Sequence, residues 1–341
     1  MSVTSSSEVG APGEGQAAAA PDRRSRRELT AHLVQRHGAL AVLVVVVVGF
    51  SFVFPNFGTV TNLGDIALSQ SFVAIVAIGM TFVIISGGID LSVGSVFALG
   101  GVVGAWGSQY GVVVALAAPL ALCGLIGLVN GLLIARAGMA PFIVTLASLL
   151  GARGLLLVLS NEGETTYVVP EGGLFRALGT SEVLGLNLLV WITLALFVIF
   201  TVVLNRTRFG QSVFAIGGSE DAASLMGLRV ARVKTSVYVM SGLLAGLAGA
   251  LNAAYLASGV TILGVGMELD VIAAVVIGGT LLVGGAGSVL GTLAGVLLLG
   301  VIQNLINQVG SLNSSVQAVV SGAFLIVVVV LQTLLSRTQR L

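Results

Sequence analysis

The chain has 341 residues, 56% of them hydrophobic and 9% charged, with a formal net charge of +1. A mean hydropathy of +1.09 excludes an ordinary soluble domain, in which about a quarter of residues are charged. The near-neutral balance, with no basic stripe, excludes nucleic acid as a partner.

Residues 1–37 are rich in Ser, Gly, Ala, Glu and Arg and show no apolar periodicity, so they read as a disordered basic tail. Arg23, Arg24, Arg26, Arg27 and Arg36 precede the first apolar run, Ala39–Phe54. A basic stretch followed by an apolar one is also the pattern of a signal peptide. The long polar lead and the bulky exit through Phe52, Phe54 and Pro55 favour an uncleaved first span. Further runs follow at Ile66–Ile85, Leu91–Gln109, Val112–Ala135, Phe142–Ser160, Leu186–Leu204, Thr235–Ala257, Leu269–Val283, Val289–Val309 and Val316–Leu335. Each is near the ~20 residues that a helix needs to cross a bilayer, the Leu269 run being the shortest.

The fold class expected is therefore all-α: a polytopic membrane protein with about ten transmembrane helices, a re-entrant segment shifting that count by two. With the first residue inside, the Arg-rich tail, Arg136, the loop at 205–234 and the Arg337/Arg340 end all fall on the cytoplasmic side. Glu162, Glu164, Glu171 and Glu182 fall outside with Arg176. The positive-inside rule is then met throughout, with both termini cytoplasmic and a transmembrane domain over residues 38–336. The 47 glycines suit close helix packing. Gly127/Gly131, Gly242/Gly246 and Gly291/Gly295 have the Gly-x-x-x-Gly spacing, which such a composition also produces by chance. The single cysteine, Cys123, reads as a small buried thiol.

Both histidines, His32 and His37, precede the first span, so no His-based triad or zinc site forms inside the membrane. Lys234, the one lysine, follows Val233, so there is no Gly-Lys-Ser/Thr phosphate loop. No catalytic residue, metal ligand set or cofactor is read from the chain, and any energy for transport comes from a partner or an ion gradient.

Two stretches carry the expected chemistry. The first is Gly79–Ser95, in which Gly87, Gly88, Asp90 and Ser92 interrupt apolar sequence. Asp90 is either a paired intramembrane carboxylate or part of a turn at a water boundary. The topology puts it near the cytoplasmic face, where it can cap the returning helix and where the stretch serves as a turn or gate. The second is a short helix over Ser219–Gly227, with Ser219 as N-cap, Glu220 and Asp221 on the positive end of its dipole, and Gly227 at the left-handed position that ends it. Leu225 and Met226 are free to dock into a soluble partner.

Asp221-Ala222-Ala223, with Gly227 four residues on, resembles the Glu-Ala-Ala-x-x-x-Gly coupling loop of ABC importer permeases, with Asp in place of Glu. Gly79–Ser95 and Glu268–Thr280 resemble the ribose/xylose/galactofuranose-type branch, also described as branched-chain-like. Arg206-Thr207-Arg208-Phe209-Gly210, Leu225-Met226-Gly227 and Gly279-Thr280-Leu281-Leu282 resemble its galactofuranose-type members. The resemblance covers roughly residues 60–335. It implies a permease in a bacterial plasma membrane that moves a monosaccharide. It also implies an ABC ATPase subunit docking on residues 220–227, an extracytoplasmic sugar-binding protein, and a second permease chain, identical or related.

Other polar residues in the spans have two or more roles open. Arg153 snorkels outward, makes a structural pair or contacts sugar. Glu268 and Asp270 meet Arg153, shape the outer mouth or accept from sugar hydroxyls. Asn130 and Asn304 make interhelical hydrogen bonds or line the pathway. The rival function is an ion-coupled secondary transporter of a small polar solute, coupled at Asp90, Asp270 or Arg153. An intramembrane aspartyl dyad of Asp90 and Asp270 is disfavoured, because the topology sets them at opposite faces. A weak echo relates Ile84–Gly88 to Leu281–Gly285.

Overall fold

The computed structural model describes residues 40–54 and 56–309, with isolated positions at 319, 322 and 323. Among the described residues the regular structure is helical, apart from one hairpin of two-residue strands, β1 (Glu182–Val183) and β2 (Leu186–Asn187), and an isolated bridge between Val168 and Ser258. The helices are α1 (Leu40–Val53), α2 (Val60–Ile85), α3 (Val93–Gly107), α4 (Val112–Ala135), α5 (Pro141–Leu159), α6 (Leu174–Thr180), α7 (Leu188–Arg206), α8 (Arg208–Gly218), α9 (Glu220–Leu225), α10 (Val230–Leu256), α11 (Met267–Ile277) and α12 (Val289–Val309).

Six of these, α2, α4, α5, α7, α10 and α12, are long and apolar enough to cross a membrane. A polytopic helical membrane protein is thus what the described residues form, although not every expected span is full length. The α3 helix has 15 residues, and α11 has 11. The apolar run at Leu269–Val283 stops being helical at Gly278, where paired glycines and a left-handed Gly279 (φ 91) turn the chain. The N-terminal tail, and the expected span Val316–Leu335 apart from those isolated positions, lie outside the described residues.

Helix ends follow local chemistry. Thr59 accepts from the Asn62 amide to start α2, Pro141 occupies the first turn of α5, and Asn187 accepts from the Leu189 amide to start α7. Arg176 donates through Nη1 to the carbonyls of Ala254 and Tyr255, satisfying the negative end of α10.

At the centre lies α3, buried along nearly its whole length between α4 and α10. Small residues permit that. A Cβ on Gly100 would stand 2.7 Å from Gly246 Cα, and one on Gly246 would stand 2.7 Å from Cys123 Cβ. The Gly127/Gly131 and Gly242/Gly246 pairs are the α4–α10 interface itself, and Gly291 and Gly295 pack on α11. Cys123 is buried there, its Sγ donating to Val96 O at 3.5 Å. α4, α5 and α7 turn large apolar faces outward, whereas α2 and α10 are mostly buried.

A polar seam fastens α12 to α2. Thr81 and Thr292 share a hydroxyl hydrogen bond of 2.8 Å, Gln70 Nε2 donates to Gln303 at 3.2 Å, and Asn62 and Asn304 exchange two bonds of 3.2 and 3.0 Å. In an apolar solvent such bonds fix register, each contributing roughly 0.6–2 kcal/mol.

Packing this close sets a testable asymmetry. Gly246→Leu should prevent stable accumulation or lower the melting temperature of the detergent-purified chain, since overpacking costs about 1–3 kcal/mol or more. Gly151→Leu should leave it unchanged, because nothing stands within 4 Å of a Cβ there.

Candidate functional site

Asp90 follows the end of α2 in a turn that opens with Gly87 at φ 81, a conformation that a side chain would strain. The side chain is 1% exposed, and burying a carboxylate requires that its oxygens be occupied. Oδ1 accepts from Ser92 N at 3.0 Å and from Ser92 Oγ at 2.6 Å, and Oδ2 accepts from Ser241 Oγ at 2.8 Å. Asp90 is therefore not the N-cap of α3. It stands two residues before Ser92, which holds that position, and takes up the Ser92 amide instead.

The network continues outward. Asn130 Nδ2 donates to Ser92 Oγ at 3.3 Å, and Ser148 Oγ donates to Asn130 Oδ1. The Ile89 carbonyl accepts from Tyr238 OH at 3.5 Å and from Thr145 Oγ1 at 3.4 Å. Four helices, α3, α4, α5 and α10, thus close on one turn. Thr145 and Asn130 put that turn about one helical turn in from the ends of α5 and α4 on the α8–α9 side. It is a turn near that side whose Asp90 carboxylate is buried and bonded at both oxygens, with Gly87 exposed.

Below it the chain makes a backbone junction. Gly285 N donates to Ile85 O at 2.9 Å, a Cβ on Gly284 would stand 3.0 Å from Gly87 Cα, and one on Gly285 would stand 3.1 Å from Gly218 Cα. The two echoed segments, Ile84–Gly88 and Leu281–Gly285, therefore touch each other and the end of α8. Nothing in the residue pattern signals that Gly217 and Gly218 join them.

Glu268 and Asp270 are placed otherwise than expected. The segment at 257–266 is not an outer loop leading into a span but a descending strap. A Cβ on Gly259 would stand 2.8 Å from Val102 Cα, and one on Gly94 would stand 2.6 Å from Glu268 Oε2. The strap thus runs back along much of α3, and the start of α11 adjoins the start of α3. This corrects the separation of Asp90 and Asp270 to opposite faces, since Gly94 lies four residues after Asp90. Non-helical backbone at such depth needs partners. Arg153 supplies two, donating to Thr261 O at 2.8 Å and Leu263 O at 3.1 Å. Glu268 and Asp270 lie in the first turn of α11, half-buried, where the helix dipole favours their charge. Arg153 therefore makes a structural pair with backbone. Asn304 is bonded to Asn62 and receives a further bond from Gln308.

The helix expected at Ser219–Gly227 forms as α9. Ser219 Oγ accepts from Ala222 N at 3.3 Å, Glu220 and Asp221 occupy the first turn, and Gly227 takes φ 81. Ala223 is buried, while Leu225 and Met226 are 90% and 71% exposed. Among the described residues no cluster of His, Cys, Asp or Glu has the makings of a metal site.

The sequence model of the family described as "Branched-chain amino acid transport system / permease component" matches residues 62–329. The Ribose import permease protein RbsC of Escherichia coli strain K12 is 40% identical over 307 residues, covering 89% of this chain and 95% of that protein. RbsC of Bacillus subtilis strain 168 is 39% identical over 301 residues, covering 88% and 93%. The L-arabinose transport system permease protein AraH of Escherichia coli strain K12 is 37% identical over 307 residues, covering 89% and 92%. No solved structure matches.

The Asp90 network makes its own demand. Asp90→Leu leaves three donors without their acceptor and should lower the thermal stability of the purified chain by about 1–3 kcal/mol for each one that stays unpaired. Asp90→Asn keeps an acceptor for Ser92 and should fall between Leu and wild type.

Proposed function

Because this chain belongs to the family of branched-chain amino acid transport system permease components, we propose that it is the membrane-spanning permease subunit of an ABC importer that translocates a monosaccharide in a bacterial plasma membrane. The observation that carries the proposal is α9. A six-residue helix holding Leu225 and Met226 almost wholly exposed, on the motif Asp221-Ala222-Ala223-x-x-x-Gly227, suits docking into a separate subunit better than packing within this chain.

Ten membrane passes with both ends cytoplasmic agree with the positive-inside rule. Arg136, Arg206, Arg208, Arg229, Arg232 and Lys234 gather at the end that carries α8 and α9, and Glu162, Glu164, Glu171 and Glu182 lie in the segment around α6 and the hairpin. On that topology α9 is cytoplasmic, and an ATPase subunit is its partner. Glu220, Asp221, Ala222, Ala223, Leu225, Met226 and Gly227 form the coupling element. The turn with Gly87, Gly88, Asp90 and Ser92 is the inner gate. Glu268 and Asp270, beside the start of α3, are carboxylates on the sugar route, and a secreted sugar-binding protein and a second permease chain complete the importer.

The sugar is of the pentose class for which the relatives are named, ribose and L-arabinose. The finer galactofuranose-type assignment rests on the Arg206–Gly210, Leu225–Gly227 and Gly279–Leu282 motifs alone. Asp90, with both carboxylate oxygens already bonded to serines, is built as a structural pin, which counts against an ion-coupled carrier working through it.

In proteoliposomes holding the chain with its ATPase and binding protein, uptake of D-ribose or L-arabinose should require ATP and survive a protonophore. Gly227→Leu should cut that uptake at least about ten-fold with membrane level unchanged, because its left-handed backbone strains any side chain. Uptake that ignores ATP and collapses with the proton gradient would overturn the assignment. A cysteine at position 89 should react from the cytoplasmic side, and reaction from outside alone would remove the inner-gate role.

A further inference from the structure

Lys234 is the one lysine in the chain, and it makes the one salt bridge among the described residues, from Nζ to Glu220 Oε2 at the start of α9. The pair is unequal. The Lys234 side chain is 16% exposed and that of Glu220 is 53% exposed. A lysine so largely covered keeps its charge near a partner. Lys234, Tyr238 and Ser241 stand at i, i+4 and i+7 on α10, one above another on a single face. Tyr238 OH donates to Ile89 O at 3.5 Å and Ser241 Oγ donates to Asp90 Oδ2 at 2.8 Å. One stripe of one helix therefore holds α9 at its lower end and the Ser86–Asp90 turn at its upper end.

We propose that the Glu220–Lys234 pair is a strut that fixes α9 to α10, so that movement of α9 is carried along the Lys234–Tyr238–Ser241 stripe to the turn at Asp90. The proposal rests on α9 being the docking element and adds the side chains through which docking reaches the gate. A helix of six residues has too few internal hydrogen bonds to hold its own orientation. Ser219 caps it and Ala223 buries one point of it, which leaves rotation about that point open. Glu220–Lys234 closes that freedom. Glu220 and Lys234 are positioning residues and touch neither nucleotide nor sugar.

Two measurements test the strut. In the purified permease alone, Lys234→Met should raise amide hydrogen exchange across residues 219–227 about five-fold, and the charge swap Glu220→Lys with Lys234→Glu should return it to the wild-type rate. In proteoliposomes with the ATPase and binding protein, the ratio of D-ribose taken up to ATP hydrolysed should fall about five-fold in Lys234→Met and in Glu220→Gln, and recover in the swap. Unchanged exchange, unchanged ratios in both single variants, or a swap that restores neither would overturn the proposal. If wild-type proteoliposomes show no ATP-driven ribose uptake, the transport assignment or the choice of sugar fails, and exchange in the isolated permease still decides the strut.

Discussion

How closely α10 approaches α3 and α4 governs the rest of the molecule. In lipid no hydrophobic driving force brings helices together, so packing contact and hydrogen bonds across the seam must do so. Gly100, Gly246, Gly127 and Gly242 remove the side chains that would hold the backbones apart. Only at that separation does the Ser241 hydroxyl reach the Asp90 carboxylate, and only then does Tyr238 lie over the Ile89 carbonyl. The polar network is a consequence of the glycine seam. An extra methyl group in the seam would loosen a carboxylate network two turns away.

Asp90 then works as a specificity device rather than a source of net stability. Moving a charge out of water costs several kcal/mol even with good partners, and the three hydrogen bonds to its oxygens roughly offset that cost. What they add is register, since the Ser241 hydroxyl on α10 must stand opposite the carboxylate that precedes α3. The Thr81–Thr292, Gln70–Gln303 and Asn62–Asn304 pairs do the same for α2 and α12 without a charge. Polar atoms thus register the central helices, and Asn130, Thr145, Ser148 and Arg153 extend the same device to the inward sides of α4 and α5.

Much of this was legible in the residues. The caps of α9 are local, so Ser219, Glu220 and Gly227 announced it without tertiary information. Arg136 and the acidic residues near α6 are marks of charge that need no tertiary information to be seen. Depth was the harder quantity to read. In a soluble protein a strand or helix announces its buried face by period, but in lipid both faces are apolar and the period is lost. The strap at 257–266 carries no mark of its depth, because Gly259, Gly264 and Gly266 suit a turn in water as well as close packing against α3. Arg153 had a visible cost but an invisible partner: the Thr261 and Leu263 carbonyls that it satisfies are backbone, and backbone leaves no mark in a sequence.

The junction beneath the Asp90 turn has a further consequence for how the chain can vary. Where Ile85, Gly87, Gly217, Gly284 and Gly285 meet, contact is between main chains, three of them at left-handed glycines. A side-chain interface can be repacked, because loss of volume on one partner is made good by gain on the other. Main-chain contact has no such compensating move, as there is no smaller residue than glycine to exchange. The membrane-facing helices are free to drift among apolar residues, while this junction has almost no neutral neighbours in sequence space. The part of the protein where main chains meet is thus the part that substitution can adjust least, and variation must fall in the segments that flank it.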